Sequence, residues 1–247
     1  MKYFVKFCES KYNITKNCNT LSLGTLSYYK GMEGKRGDLK EGFIEHGIPP
    51  GTDLIIPPNE SIKIIGEEWV SAGDTQGRVL IGENGKFGTN INLNCYVYCL
   101  AHLEKSKINL DFGKERFGEE IDSFFVIPEN RIGFFVNYLS MLLTHALKLK
   151  DFTKESRQLI KRETLKGQFG IRYIHKPVTY VDRKFSDSRK DLEEDQILDR
   201  LLFEKEKNYS GDQEFRIALL PFWGNDLLSC KPQNKIVPLY PNIFHTI

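Results

Sequence analysis

The clearest periodic run lies before the middle of the chain. Ile91, Leu93, Cys95, Val97, Cys99 and Ala101 alternate with Asn90, Asn92, Asn94, Tyr96 and Tyr98, which predicts a strand with one core face. The Asn/Tyr face is expected to be solvated or to line a cleft. Helical spacing is equally plain further on, where Ile132, Phe135, Val136, Leu139, Leu142, Leu143 and Ala146 form one apolar stripe. Shorter signals fill in the rest. Tyr3 to Phe7 predicts an opening strand, followed by a polar helical turn around Glu9 to Asn17. Leu21 to Tyr29 predicts a strand running into a loop, and Gly31 to Gly51 a long, glycine-rich, irregular one. Ser61 to Val70 and Arg78 to Ile81 predict hairpin strands, and Phe124 to Ile127 a brief strand stopped by Pro128. Thr153 to Lys166 predicts a polar helix, Val178 to Val181 a strand, and Ser186 to Lys207 a charge-rich surface helix. Phe215 to Leu220 and Lys235 to Leu239 are the last strands.

Strands early, helices in the middle and strands at the end predict an α+β architecture, read as one domain over residues 1–247. No G-x-x-x-x-G-K-[ST], and no G-x-G-x-x-G after a strand, is present, which disfavours P-loop and Rossmann readings. The window from Ile132 to Leu149 contains Asn137, His145 and Lys148, so it predicts a buried helix rather than a membrane span. A net charge of +2 is too small for the whole chain to read as a nucleic-acid or membrane binder. Five irregularly spaced cysteines suggest no disulfide framework and fit a reduced, cytoplasmic setting.

Candidate chemistry is sparse over most of the chain. Cys95 and Cys99 share a strand face but stand roughly 13 Å apart, too far for one metal ion. The five histidines form no metal-binding pair, and no G-x-S-x-G marks a nucleophile. The segment Lys148 to Lys176 is locally basic, with nine Lys/Arg against Asp151, Glu155 and Glu163. It reads either as a phosphate-contacting surface or, more simply, as a solvated helix balanced by the acidic segment 186–206.

The stretch Tyr209-Ser-Gly-Asp-Gln-Glu-Phe-Arg216 differs in kind. It places Asp212 and Glu214 two apart where a turn enters a strand, with Arg216 expected on the same face. Two carboxylates so placed call for a cationic partner or a ligand, though such pairs are also ordinary solvated features. The pattern resembles the E-x-E or Q-x-E signature of ADP-ribosyltransferases. Lys205-Glu-Lys-Asn-Tyr209 followed by Asp212-Gln-Glu-Phe-Arg216 is similar to the K-x-x-x-Y-x-x-E-x-E-[FY]-R ending of bacterial and phage proteins in that neighbourhood. Lys6-Phe7, then Asn19 to Tyr29 with Arg36-Gly-Asp38 and Glu41-Gly42, resembles their N-terminal block.

The resemblance implies a split, mostly antiparallel core flanked by helices, with NAD⁺ as a substrate. Glu214 would be the catalytic glutamate that stabilises the oxocarbenium-like state as nicotinamide leaves. Asp212 would orient or deprotonate the acceptor. Lys6, Ser27, Tyr28, Tyr29 and Arg216 would contact the cofactor or support those that do, Lys6 standing where the family often has Arg, His or Tyr. The acceptor would be a protein or a nucleic acid, and a toxin or phage-defence role would imply an antitoxin or regulatory partner. On this reading Glu214→Gln abolishes transfer and leaves the fold intact. The rival expectation is a catalytically silent module of the same fold that binds a nucleotide or nucleic acid.

Overall fold

The structure, a computed structural model, describes residues 2–16, 18–30, 43–47, 53–56, 61–64, 69–71, 77–80, 86–90, 94–162, 168–181 and 194–240. Its strands are β1 (Lys2–Cys8), β2 (Thr20–Thr25), β3 (Phe43–Gly47), β4 (Asp53–Ile56), β5 (Ser61–Ile64), β6 (Trp69–Ser71), β7 (Gly77–Leu80) and β8 (Lys86–Asn90). They continue as β9 (Tyr96–Glu104), β10 (Ser123–Pro128), β11 (Phe169–Pro177), β12 (Thr179–Val181), β13 (Glu204–Glu206), β14 (Glu214–Trp223), β15 (Asp226–Leu227) and β16 (Asn234–Pro238). The α-helices are α1 (Leu26–Lys30), α2 (Leu110–Phe117), α3 (Ile132–Ala146), α4 (Lys154–Arg162) and α5 (Glu194–Phe203). The chain is thus α+β, and no helix among the described residues is long and apolar enough to cross a membrane.

The main sheet runs β10-β1-β9-β14-β11, antiparallel at every step. β9 has two neighbours along one edge. β1 pairs with Ala101 to Glu104, whereas β2 pairs with Tyr96 and Val97 and carries β16 on its far side. The sheet is therefore split between β1 and β2, at the level of Tyr98 to Leu100. The strands between Phe43 and Asn90 pair with one another in separate small sheets, β3-β8-β5-β6 and β4-β7.

Strand alternation sends side chains to two layers. One face, with Phe4, Tyr96, Tyr98, Leu100, Phe215, Ile217 and Leu219, packs under α3 through Phe135, Val136, Leu139, Leu142 and Leu143. The other face carries two separate apolar clusters. Leu26, Cys95, Val97, Leu202, Phe203, Ala218 and Leu220 join α1 and α5 to the sheet, while Val5, Phe7, Ala101, Leu103 and Ile121 pack near Phe112 and Phe117 of α2.

The α3 stripe is the one the spacing predicts. The Asn/Tyr face of β9 differs from expectation: Tyr96 and Tyr98 are core, 0% and 4% exposed, because α3 covers them. Residues 91–93 lie outside the described residues. Within the expected loop from Gly31 to Gly51 stands β3, and Tyr28 and Tyr29 belong to α1 rather than to a strand end. β7 pairs with β4, not with the β5–β6 hairpin. Of the charge-rich segment expected as a surface helix, 186–193 lie outside the described residues, α5 buries Leu201, Leu202 and Phe203, and Glu204–Glu206 is strand β13. Asn13, in one of three N-x-[ST] matches, is wholly buried and donates to Ser123 Oγ and the Phe124 carbonyl, so it is no sugar acceptor here.

Adjacent residues of α3 test the layering. Phe135 is 0% exposed and Phe134 51%. Phe135→Ala is expected to cost about 3–5 kcal/mol and Phe134→Ala under about 0.5 kcal/mol, read from denaturant midpoints.

Candidate functional site

The gap between the two apolar clusters on the α2/α5 face is polar. Arg216 stands opposite Cys99 and Glu214 opposite Ala101, so the strand pairing sets both charged residues into that gap. Glu214 opens β14 after a 3₁₀ turn over Lys207–Asp212 and after Gln213, whose φ of 46° is left-handed. That kink redirects the chain, and a short parallel ribbon fixes the result. β12 and β13 pair side by side; the Glu214 N–H donates to Tyr180 Oη at 2.8 Å and the Val178 N–H donates to the Glu214 carbonyl.

Both oxygens of Glu214 are engaged. Arg216 donates to Oε1 from Nε and Nη2, each at 2.8 Å, and Lys205 Nζ stands 2.6 Å from Oε2. The three residues are 7%, 1% and 7% exposed for Glu214, Arg216 and Lys205. Arg216 Nη1 also donates to the Leu202 carbonyl at 2.7 Å, tying α5 to the cluster. Burial alone would raise the Glu214 carboxyl. The Arg216 guanidinium and Lys205 ammonium overturn that, aided by hydrogen bonds from Lys205 and the Cys99 thiol, and hold it well below the usual carboxylate range. Burial, reinforced by Glu214, pushes the Cys99 thiol up to about 12, so Cys99 is a protonated donor and not a nucleophile. Asp212 moves the other way from Glu214. Burial raises its carboxyl, opposed by Lys205 and by Arg116 of α2.

Lys6 reaches the same place from the other side of the sheet. It shares strand parity with Phe4, on the α3 face, yet its Nζ donates to the Cys99 carbonyl at 2.9 Å and lies 4.7 Å from the centre of the Tyr98 ring. It thereby occupies the split between β1 and β2. Tyr29 flanks that split: its ring lies on Gly24 of β2, where an added Cβ would stand 2.5 Å from ring carbon Cε2. Its hydroxyl is also among the groups that act on the buried Tyr98 hydroxyl. Comparison with models of protein families, with characterised proteins and with solved structures found no match. The geometry alone therefore carries the functional reading.

Of the residues singled out in the sequence, Lys6, Glu214 and Arg216 meet at Cys99. They do so from opposite faces of the sheet rather than along one open cleft. The Asp212 carboxylate acts on the cluster, but Asp212 sits in the 3₁₀ turn, and the αL kink at Gln213 stops strand alternation from extending to it. Tyr29 borders the split. Ser27 and Tyr28 are used locally: their N–H groups donate to Asn94 Oδ1 and Thr25 Oγ1, and no hydrogen bond joins either to Glu214. Lys205, Cys99, Tyr180 and Arg116 are site residues that pattern reading did not select. Lys205 carried a signal as the first residue of the K-x-x-x-Y frame, and Cys99 and Tyr180 fall in segments, Tyr96-Val-Tyr-Cys99 and Val178-Thr-Tyr180, that resemble weaker middle blocks of the same family. Among the described residues no group of three or more His, Cys, Asp or Glu is arranged to hold a metal ion.

A depressed folded-state pKa means that the stability from Glu214 is fully present above glutamate's unfolded pKa and is lost as pH falls toward the folded value. Lys205→Met is expected to cost about 3 kcal/mol and to move the acid-unfolding midpoint to higher pH, read by circular dichroism against pH. An unchanged midpoint would show that Lys205 does not hold the carboxylate. At the kink, Gln213→Gly is expected to be neutral or stabilising by up to about 1 kcal/mol, and Gln213→Val destabilising by about 1–2 kcal/mol, in denaturant titration.

Proposed function

We propose that the split between β1 and β2 is an NAD⁺ site and that the chain is an ADP-ribosyltransferase-like enzyme. The observation that carries this is the meeting of Lys6, from the first strand, with Glu214, from a late one, at the single residue Cys99. Lys6, Lys205, Arg216 and Arg116 all act on Cys99, Glu214 or Asp212 there, and cationic side chains of this kind suit a pyrophosphate. In this reading Arg216 anchors Oε1 of Glu214, and a ribose hydroxyl displaces Lys205 from Oε2. Nicotinamide leaves C1′ of the ribose with the bonding electron pair, and the ionised Glu214 stabilises the cationic sugar. In the same reading the acceptor, a protein or nucleic acid, bonds to C1′ and loses its proton to Asp212. Its raised pKa makes it the better base of the two carboxylates.

A second reading, a silent nucleotide-binding module, is favoured by one specific observation. Both Glu214 oxygens are already held by buried cations, which is what a structural carboxylate shows. In either reading Glu214→Gln is no longer expected to leave the fold untouched, because it strips a buried charge from two cations.

The test is incubation with NAD⁺ labelled in the adenylate, in the presence of cell extract, alongside calorimetric titration of NAD⁺. The enzyme reading expects label on a macromolecule, a loss of about 10²-fold or more in Glu214→Asp, and roughly tenfold weaker NAD⁺ binding in Lys6→Ala. Saturable binding without label selects the silent module. Wild-type protein that binds no NAD⁺ sinks the enzyme reading.

A further inference from the structure

We propose that the basic face of α4 docks the phosphate backbone of duplex nucleic acid. The site is a shallow concavity of about 640 Å³ lined by Leu149, Lys150, Lys154, Arg157, Gln158 and Lys161. Four of those six carry positive charge, and two acidic neighbours among the described residues, Asp151 and Glu155, are turned to other work. Asp151 is buried, accepts the Lys148 N–H and holds Lys235 Nζ at 2.5 Å. Glu155 folds back on its own N–H and the Thr153 hydroxyl, although it still feels Lys154 and Arg157. Lys150, Lys154 and Arg157 make no ion pair among the described residues; Arg157 Nε donates to the Thr153 carbonyl at 3.3 Å.

The spacing suits a row of phosphates. Lys154 to Lys161 spans roughly 10 Å of helix axis at about 1.5 Å per residue. Measured along a duplex axis, that is the rise of about three base-pair steps at roughly 3.4 Å each. No aromatic ring lines the concavity, so a base has nothing to stack on and contact falls on the backbone, without sequence preference. A membrane surface fits worse. An interfacial helix needs an apolar face free to enter the bilayer, and the apolar residues of α4, Leu159 and Ile160, pack against the main core.

This docking face stands apart from the split in the sheet, so its failure leaves the NAD⁺ reading untouched. Fluorescence anisotropy with a labelled mixed-sequence DNA duplex of about 20 base pairs tests it, at about 50 and 200 mM salt. Three phosphate contacts, from Lys150, Lys154 and Arg157, predict affinity falling roughly 40-fold between those two salt concentrations. The variant Lys150→Gln/Lys154→Gln/Arg157→Gln should bind at least about tenfold more weakly and lose most of that salt dependence. A charge-matched variant on other exposed lysines, Lys105→Gln/Lys107→Gln/Lys231→Gln, should bind within about twofold of wild type. Unaltered melting curves for both triples exclude misfolding as the cause. Equal losses in the two variants, undiminished binding by the α4 variant, or binding to anionic phospholipid vesicles but not to the duplex would overturn the proposal.

Discussion

Everything near the start of β14 depends on the ion cluster of Glu214 with Lys205 and Arg216. A lone charge at that depth is prohibitively costly, and an acid there would ordinarily take up a proton. Two cations from different parts of the chain prevent that. Arg216 comes from the same strand face, two residues on, and also grips the Leu202 carbonyl at the end of α5. Lys205 comes from β13, whose pairing with β12 brings Tyr180 against the Glu214 N–H. One carboxylate thus joins the central sheet, the C-terminus of α5 and the β12–β13 ribbon. A buried cluster of this kind adds little net stability over an apolar core, but losing one member is severe. Its contribution is to fix where the start of β14 sits.

The split between β1 and β2 gives that constraint a second consequence. Because the two strands divide one edge of β9, the Cys99 carbonyl is left for a side chain, and Lys6 takes it. The Cys99 thiol meanwhile faces Glu214 on the opposite side. A backbone gap and a buried acid are coupled through one residue, so a ligand entering the split would be felt by both. The same arrangement explains why the Cys99 thiol is inert. Its proton is kept by burial and by the neighbouring carboxylate.

Much of the scaffold was legible in the sequence, for physical reasons that also mark where legibility ends. α3 was readable because one face meets a sheet and the other meets water. β9 was readable as a strand but not as a doubly covered one, since Tyr and Asn alternation looks the same whether a helix lies over it or solvent does. Strand parity placed Arg216 on the same face as Glu214 and Asp212, leaving either carboxylate as its partner. Asp212 misled the same logic, because the left-handed Gln213 interrupts the alternation that parity assumes. Lys205, Cys99 and Arg116 were not legible as site residues. The Lys205 frame marked a position but not its partner, because the roles of all three come from strand register and from the packing of α2 and β13.

The claim most exposed to test is that a nucleotide entering the split acts on Lys6 and Glu214 together. Hydrogen exchange measured by mass spectrometry, with and without saturating NAD⁺, reads this directly. The account predicts slowed exchange in peptides spanning β1, the centre of β9 and the start of β14 at once, with β11 and α3 unchanged. Protection confined to α4, or no change at any of these strands, would contradict it.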